Sequence, residues 1–177
     1  NVIGTNCQFI SSENRVKQQE FIDFTVKLIS DVRSRRNTIL HFNKIWHENQ
    51  INGFKKRLSG RSHKELKIWF ESKNILIISP GPSLKHSINT ISKNIDRKFT
   101  IIALAQSMPA LAKFNITPHF VMVVDPQDYS QVLSDWSDLS KINLIAEESV
   151  HKSFINKNFK EIFTVITHKD VMGLSNA

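Results

Sequence analysis

Two polar turns, each following an apolar run, carry the residues of this sequence best suited to chemistry. The first turn follows residues 75–78 and contains Ser79, Gly81, Pro82 and Ser83. The second follows residues 120–124 and consists of Asp125, Pro126 and Gln127. A glycine lets a ligand approach the backbone, and a serine before a helix can contact a phosphate at the free N–H groups. A carboxylate at the end of a strand suits a ribose hydroxyl, a base or a divalent metal.

Each turn also has a simpler explanation that depends on local structure alone. Gly-Pro-Ser sequences are common in turns, and Ser83 could serve only as a helix N-cap. Asp125 and Pro126 could simply end a strand. Neither the glycine pattern of dinucleotide-binding folds nor the P-loop pattern is present, and no His, Asp or Glu spacing indicates a metal cage. We therefore expect no metal centre, with Asp125 as a weak candidate ligand.

Other polar residues follow the remaining apolar runs. Gln106 and Ser107 follow the second run, and we expect them to contact nucleotide or sugar if the first turn binds a phosphate. The neighbouring Glu147 and Glu148 are interpreted as a pair of acids at the start of a helix. His168 is a weak acid/base candidate, so the catalytic residue is left unknown.

Short runs rich in Ile and Val alternate with helical stretches after residue 73. This alternation predicts an α/β fold with a Rossmann-like parallel sheet flanked by helices. The carboxyl ends of parallel strands lie on one edge, so the polar turns should lie on that edge too. The predicted strands are 74–79, 99–104, 120–124, 142–146 and 161–166, and the predicted helices after residue 83 include 129–139 and 149–156.

The first 73 residues contain no proline, and their apolar spacing indicates helices over about 12–35 and 38–56. Ser62 and Glu65 have the spacing of a capping box that opens a further short helix. We therefore predict a helical N-terminal segment over residues 1–73 and a Rossmann-like nucleotide-binding domain over residues 74–177.

Composition limits the class of protein. One cysteine among 177 residues excludes an internal disulfide framework and suits a cytoplasmic protein, and no apolar stretch is long enough for a membrane helix. The net charge of +8 lies mostly in residues 1–73, which hold 14 Lys and Arg against 7 Asp and Glu. A solvated helix face explains this charge best, and contact with an acidic partner, a membrane surface or nucleic acid is the alternative. We do not expect nucleic acid at the polar turns.

The two turns together resemble the motility-associated-factor (Maf) glycosyltransferases, whose domain family includes the archaeal 6-hydroxymethylpterin diphosphokinases. The resemblance covers roughly residues 40–170 and rests on three stretches: residues 45–52, residues 75–84 with their Gly-Pro-Ser-Leu turn, and residues 116–126. The Gly-Pro-Ser-Leu turn is also similar to that of bacterial sialyltransferases that use CMP-sugars. The family usually has Asp where this chain has His119, and its domain continues with further strands and a later site motif, which implies an incomplete domain here.

The resemblance implies a bacterial nucleotide-sugar-dependent glycosyltransferase linked to flagellin glycosylation. The donor would be a CMP-activated nonulosonic acid, and the acceptor a hydroxyl of a protein or glycan. Gly81, Pro82 and Ser83 would hold the donor phosphate, and Asp125 would contact ribose, base or metal. One alternative is diphosphate transfer from ATP to a pterin-like alcohol, which needs Mg²⁺. The other is a non-catalytic nucleotide-binding or adaptor domain.

Overall fold

A computed structural model describes residues 15–94 and 99–166 of the chain. Its regular elements are α1 Arg15–Leu58, β1 Arg61–Ser62, α2 Leu66–Phe70, β2 Asn74–Ile78, α3 Leu84–Asn94, β3 Phe99–Leu104, α4 Met108–Lys113, β4 Phe120–Val123, β5 Asn143–Glu147, α5 Lys152–Ile155 and β6 Ile162–Val165. Short 3-10 turns cover His63–Glu65, Ala105–Ser107 and Ser130–Leu133. Side chains are described from Lys17 onward, except at residues 94–98.

The six strands form one parallel sheet in the order β1-β6-β5-β4-β3-β2. This arrangement confirms the predicted Rossmann-like α/β fold. From β3 to β6, each strand lies beside the strand that precedes it in the chain. The turns that follow these strands therefore lie in chain order along one edge of the sheet, which we call the carboxyl edge.

The two faces of the sheet are buried against different elements, because alternate side chains of a strand point to opposite faces. On one face, Val121 and Leu144 pack with Ile88 of α3, Leu111 of α4 and Phe154 of α5. On the other face, a smaller cluster joins strand residues to α2, and its buried members are Leu66, Ile102, Phe120, Ile145 and Phe163. Aromatic rings of α2 pack on this cluster edge to face.

The helix α1 is one continuous helix of 44 residues, where the sequence predicts two. Residues 34–40 contain neither proline nor glycine, so nothing in the backbone ends the first predicted helix before the second begins. Apolar side chains in the first half of α1 are exposed: Phe24 is 65% and Val32 57% exposed.

The structure differs from the predicted elements after β4 and β5. Only Ser130–Leu133 is helical, as a 3-10 turn, within the helix predicted for 129–139. Asp128 and Asp138 accept hydrogen bonds from backbone N–H groups two residues ahead, and such turns compete with helix formation. The helix predicted for 149–156 is shortened to α5, because Glu147 accepts the N–H groups of Ser149 and Val150 in a turn that precedes the helix.

Two further features concern the elements before β2. The predicted capping box is confirmed: Ser62 Oγ accepts the Lys64 N–H, and Glu65 Oε1 accepts the Ser62 N–H. The strand β1 was missed, because a two-residue strand without apolar side chains leaves no periodic signal.

The contacts between Cα atoms divide the chain into two units after His41, and every site feature below belongs to the second unit. Among the described residues, no helix has the length and apolar character needed to cross a membrane.

Candidate functional site

The turn after β2 leaves open space above its glycine. A Cβ built on Gly81 would meet no heavy atom closer than Ser83 Oγ at 4.0 Å. Gly81, Pro82 and Ser83 are exposed, and the carbonyl of Ser83 accepts the N–H groups of His86 and Ser87 at the start of α3. A ligand can therefore approach this backbone without displacing another part of the described chain.

A cavity of about 520 Å³ lies beside this turn, between α3 and α4. We call it the first cavity, and it is lined by Pro80, Gly81, Leu84, Lys85, Ile88, Gln106, Pro109, Ala110, Lys113 and Phe114. Its wall is mostly apolar, and the side chains of Lys85 and Lys113 also line it, one from each helix. Apolar walls with a few charged groups are typical of sites for small organic anions.

The turn after β3 places its two predicted site residues in different surroundings. Gln106 is exposed and lines the first cavity beside Gly81. Ser107 is buried, and its hydroxyl donates to the carbonyl of Ile78 at a distance of 3.2 Å. In this structure Ser107 therefore fixes the end of β2 against the turn after β3.

The turn after β4 forms a separate part of the carboxyl edge. Asp125 Oδ1 accepts the backbone N–H of Gln127 at 2.9 Å, which makes an Asx turn and fixes the carboxylate. Asp125, Pro126 and Gln127 are not among the residues that line the first cavity. Burial and the negative charge of Asp125 raise the pKa of Tyr129 to about 12, so this phenol stays neutral at physiological pH.

Side chains of α1 brace the carboxyl edge by donating hydrogen bonds to its turns. The buried side chain of Asn49 donates to the carbonyls of Pro126 and Ser149, both at 2.8 Å. It therefore ties the turn after β4 to the turn after β5. Arg57 adds a bond from its guanidinium to the carbonyl of Val150 at 3.1 Å.

The glycine at position 53 allows Arg57 to make these contacts. A Cβ on Gly53 would lie 2.5 Å from Arg57 Cζ, so only glycine leaves room for the guanidinium against α1. Burial lowers the pKa of Arg57, and the charges of Glu147 and Glu148 oppose that shift.

The pair Glu147 and Glu148 does not start a helix. Glu147 is the last residue of β5, is buried, and accepts hydrogen bonds from both the N–H and the hydroxyl of Ser149. The interpretation as helix-start acids is wrong, because α5 begins only at Lys152. Glu148 instead lines a second cavity of about 470 Å³, together with Gln50, Phe54, Arg57, Leu58, Gly60, Arg61, Ser62, Thr164 and Ile166.

The sequence analysis also names two histidines, His119 and His168. The side chain of His119, just before β4, accepts the backbone N–H of Ile101 in β3 at Nδ1, at a distance of 3.1 Å. Burial, reinforced by the charge of Lys73, lowers the pKa of His119, which keeps the ring neutral and suited to this bond. His168 lies outside the described residues.

Sequence reasoning missed Lys85, Lys113 and Asn49 as contributors to the carboxyl edge. Lys85 was detectable in principle, since it follows the Gly-Pro-Ser-Leu turn directly in the first turn of α3. Lys113 and Asn49 reach their places through helix packing, so no local pattern identifies them. In residues 15–94 and 99–166, no three His, Cys, Asp or Glu side chains converge as a metal site would require.

The parallel sheet with polar turns at one edge defines a Rossmann-like α/β domain. Residues 48–176 match the family model described as 6-hydroxymethylpterin diphosphokinase MptE-like. This match covers well over half of the chain, so the chain belongs to that family, as the resemblance in its sequence predicts. No curated protein matches the chain.

One solved structure is similar, that of a Maf glycosyltransferase from Magnetospirillum magneticum AMB-1, at 20% identity and a TM-score of 0.46. The matched region covers 55% of this chain and 16% of that one, so this chain spans only a small part of that protein.

Proposed function

We propose that this chain binds a nucleotide at the Gly81 turn and belongs to an enzyme that transfers a group from that nucleotide to a hydroxyl acceptor. One observation carries the proposal: an open glycine turn borders a 520 Å³ cavity to which two lysines contribute. Backbone N–H groups before a helix and lysine ammonium groups both stabilise phosphate, and the apolar wall suits a base or sugar.

The first candidate donor is a CMP-activated nonulosonic sugar, with a protein or glycan hydroxyl as acceptor. The Gly-Pro-Ser-Leu turn and the Asp-Pro pair after β4 favour it, because both resemble Maf sequences and the first also resembles the turn of bacterial sialyltransferases. In this proposal Gly81, Pro82 and Ser83 hold the phosphate, while Ser79 and Gln106 contact the nucleotide. Stabilisation of the negative charge that develops on the departing phosphate would supply much of the catalysis.

The proposed acceptor end of the site is the turn after β4. Asp125 Oδ1 is occupied by the Gln127 N–H, so Oδ2 is the oxygen we assign to a ribose or sugar hydroxyl. Pro126 and Gln127 shape this turn. A cytoplasmic location and a link to flagellin glycosylation belong to this proposal and depend on the sequence resemblance.

The second candidate is diphosphate transfer from ATP to a pterin-like alcohol. The description of the matched family favours it. This chemistry uses Mg²⁺, and a single carboxylate with phosphate oxygens is an ordinary Mg²⁺ site, which the Asp125 side chain fits. The ion would neutralise charge on the phosphates, while Lys85 and Lys113 would hold the nucleotide.

A nucleotide panel separates the candidates. CMP, CDP, ATP and GTP are compared by thermal shift, with and without Mg²⁺, and donor breakdown is then followed as release of CMP or AMP. The first proposal predicts that CMP stabilises the fold without Mg²⁺, whereas the second predicts stabilisation by ATP that needs Mg²⁺. A chain that no nucleotide stabilises would contradict both and favour an adaptor without nucleotide.

A further inference from the structure

Three polar side chains of the turns after β4 and β5 form a hydrogen-bonded chain that no role above uses. Ser153 Oγ lies 2.7 Å from Asp128 Oδ1 and 2.8 Å from His151 Nδ1. Asp128 Oδ2 is 3.5 Å from the same ring nitrogen. We propose that His151 is the general base that deprotonates the acceptor hydroxyl, and that Asp128 and Ser153 position it; this inference rests on the proposed function.

Counting hydrogens assigns the tautomer of His151. An ionised Asp128 only accepts, so the 2.7 Å contact uses the hydroxyl hydrogen of Ser153. The 2.8 Å contact between Ser153 Oγ and His151 Nδ1 then needs a hydrogen on Nδ1. The backbone N–H of Ser153 is also directed at Nδ1, from a longer 3.3 Å. A hydrogen on Nδ1 gives up this long contact in favour of the two short ones. In the tautomer that satisfies both short contacts, Nε2 carries a free lone pair, which is the requirement for a base.

Neighbouring groups favour the ionised form of Asp128. Hydrogen bonds from Ser153 and from the backbone and side chain of Ser130, together with the nearby His151 ring, lower the pKa of Asp128. A carboxylate on the Nδ1 side of a histidine holds the ring in orientation and stabilises the imidazolium that forms when Nε2 takes a proton.

The position of His151 suits an acceptor at the carboxyl edge. Asp128 lies three residues after Asp125, and Tyr129 packs on Phe154 of α5 with ring centroids 4.8 Å apart. This contact and the Asp128–Ser153 bond hold the two turns together. Three strand spacings, about 14 Å, separate the ends of β2 and β5, which a nucleotide and its transferred group can span along the edge. The His151 side chain keeps 26% exposure, so the ring remains accessible.

The proposed step is the same for either donor. The acceptor hydroxyl gives its proton to His151 Nε2, and its oxygen forms a bond to the electrophilic atom of the donor. That atom is the anomeric carbon of a CMP-sugar or the β-phosphorus of ATP. The bond from this atom to the phosphate oxygen breaks, and CMP or AMP leaves with the electron pair. The imidazolium then returns its proton to solvent.

The tautomer is tested without any substrate, by imidazole ¹⁵N–¹H NMR of the full chain at a pH where the ring is neutral. The structure predicts a protonated Nδ1 and an unprotonated Nε2 for His151. In Asp128→Asn the amide replaces a carboxylate oxygen with a donor, so we expect the population of this tautomer to fall. A wild-type ring protonated mainly at Nε2 would overturn the proposal.

The role of His151 as the general base is tested by kinetics with the donor that the wild type turns over. Loss of a general base costs about 100-fold or more in rate, so His151→Gln should lower kcat by that factor with KM nearly unchanged. His151→Ala should regain part of its activity on addition of imidazole. The control is His47→Gln on α1, which should retain kcat within about twofold.

The outcomes separate this inference from the proposed function. If the wild type releases CMP or AMP and His151→Gln keeps kcat within about threefold, the base assignment is wrong and the transferase proposal stands. If the wild type turns over neither CMP-sugars nor ATP, the proposed function itself is contradicted, and the base assignment fails with it.

Discussion

Ser83 and Ser107 both follow strands at the carboxyl edge, but their surroundings differ. Ser83 is exposed beside an open glycine, whereas Ser107 is buried and donates to the carbonyl of Ile78. The sequence predicts both as ligand contacts, because residue type and position do not reveal whether a hydroxyl already has a partner. For the same reason the sequence does not distinguish the two acids: Asp125 remains partly exposed, while Glu147 is buried and hydrogen-bonded to Ser149.

Replacing Gly81 with valine tests the proposed phosphate contact at its closest point. The Cβ position is open, so Gly81→Val should fold normally while its side chain occupies the space that the phosphate needs. We expect CMP affinity by calorimetry to fall at least tenfold, about 1.4 kcal/mol. Asn89→Val places the same side chain on the exposed surface of α3 and should bind like the wild type. Unchanged affinity in folded Gly81→Val would remove this turn from the site.

Asp125→Asn tests the carboxylate at the end of β4. The amide oxygen can still accept the Gln127 N–H, so the Asx turn and the stability should persist while the charge is lost. We expect weaker nucleotide binding, with EDTA sensitivity of the wild type only if the residue holds a metal. Asp138→Asn makes the same change in an equivalent turn to Ser140 and should leave binding unaltered. Wild-type affinity in Asp125→Asn would show that its role is only to end the strand.

At the scale of elements, periodic patterns predicted the sheet and failed where side chains bond to the backbone. The strands from β2 to β6 were predicted to within one residue at each end, because continuous runs rich in Ile and Val are typical of strands in parallel sheets. The helix predicted for 129–139 was wrong, because Asp128 and Asp138 stabilise turns instead. The brace from α1 to the carboxyl edge was not predictable, since Asn49 and Pro126 are 77 residues apart in sequence.

The brace by Asn49 should contribute measurably to stability. Asn49→Ala removes two hydrogen bonds and leaves the carbonyls of Pro126 and Ser149 without these donors, at a cost of about 2–3 kcal/mol. Urea unfolding monitored by circular dichroism would give the difference in free energy. Asn43→Ala lies on the same helix at an exposed position and should change it by less than about 0.5 kcal/mol. Equal effects of the two variants would contradict the role of Asn49.

At the scale of the whole molecule, the excess positive charge and the first cavity belong to different parts of the sequence. The excess of Lys and Arg lies before residue 74, but the first cavity is lined by residues 80–114. The predicted division into residues 1–73 and 74–177 stays a prediction. The family model matches from residue 48, so the match includes the part of α1 that braces the carboxyl edge.

The arginines of the first unit should be dispensable for nucleotide binding. Arg33, Arg35 and Arg36 are exposed, and charges on solvated side chains are largely screened at physiological salt. Replacing all three with glutamine should leave CMP affinity within about twofold, as measured by calorimetry at 0.15 M salt. A loss of tenfold or more would mean that these side chains take part in binding.

The central claim is that a nucleotide binds at the Gly81 turn, and amide chemical-shift mapping of the ¹⁵N-labelled chain tests it most directly. Titration with CMP, and with ATP and Mg²⁺ in parallel, should shift the amides of Gly81, Ser83, Lys85 and Gln106, with smaller shifts after β4 at Asp125. The second cavity provides the internal comparison, and the amides of Phe54 and Arg57 should not move. Shifts confined to the second cavity, or no saturable shifts with either nucleotide, would contradict the account.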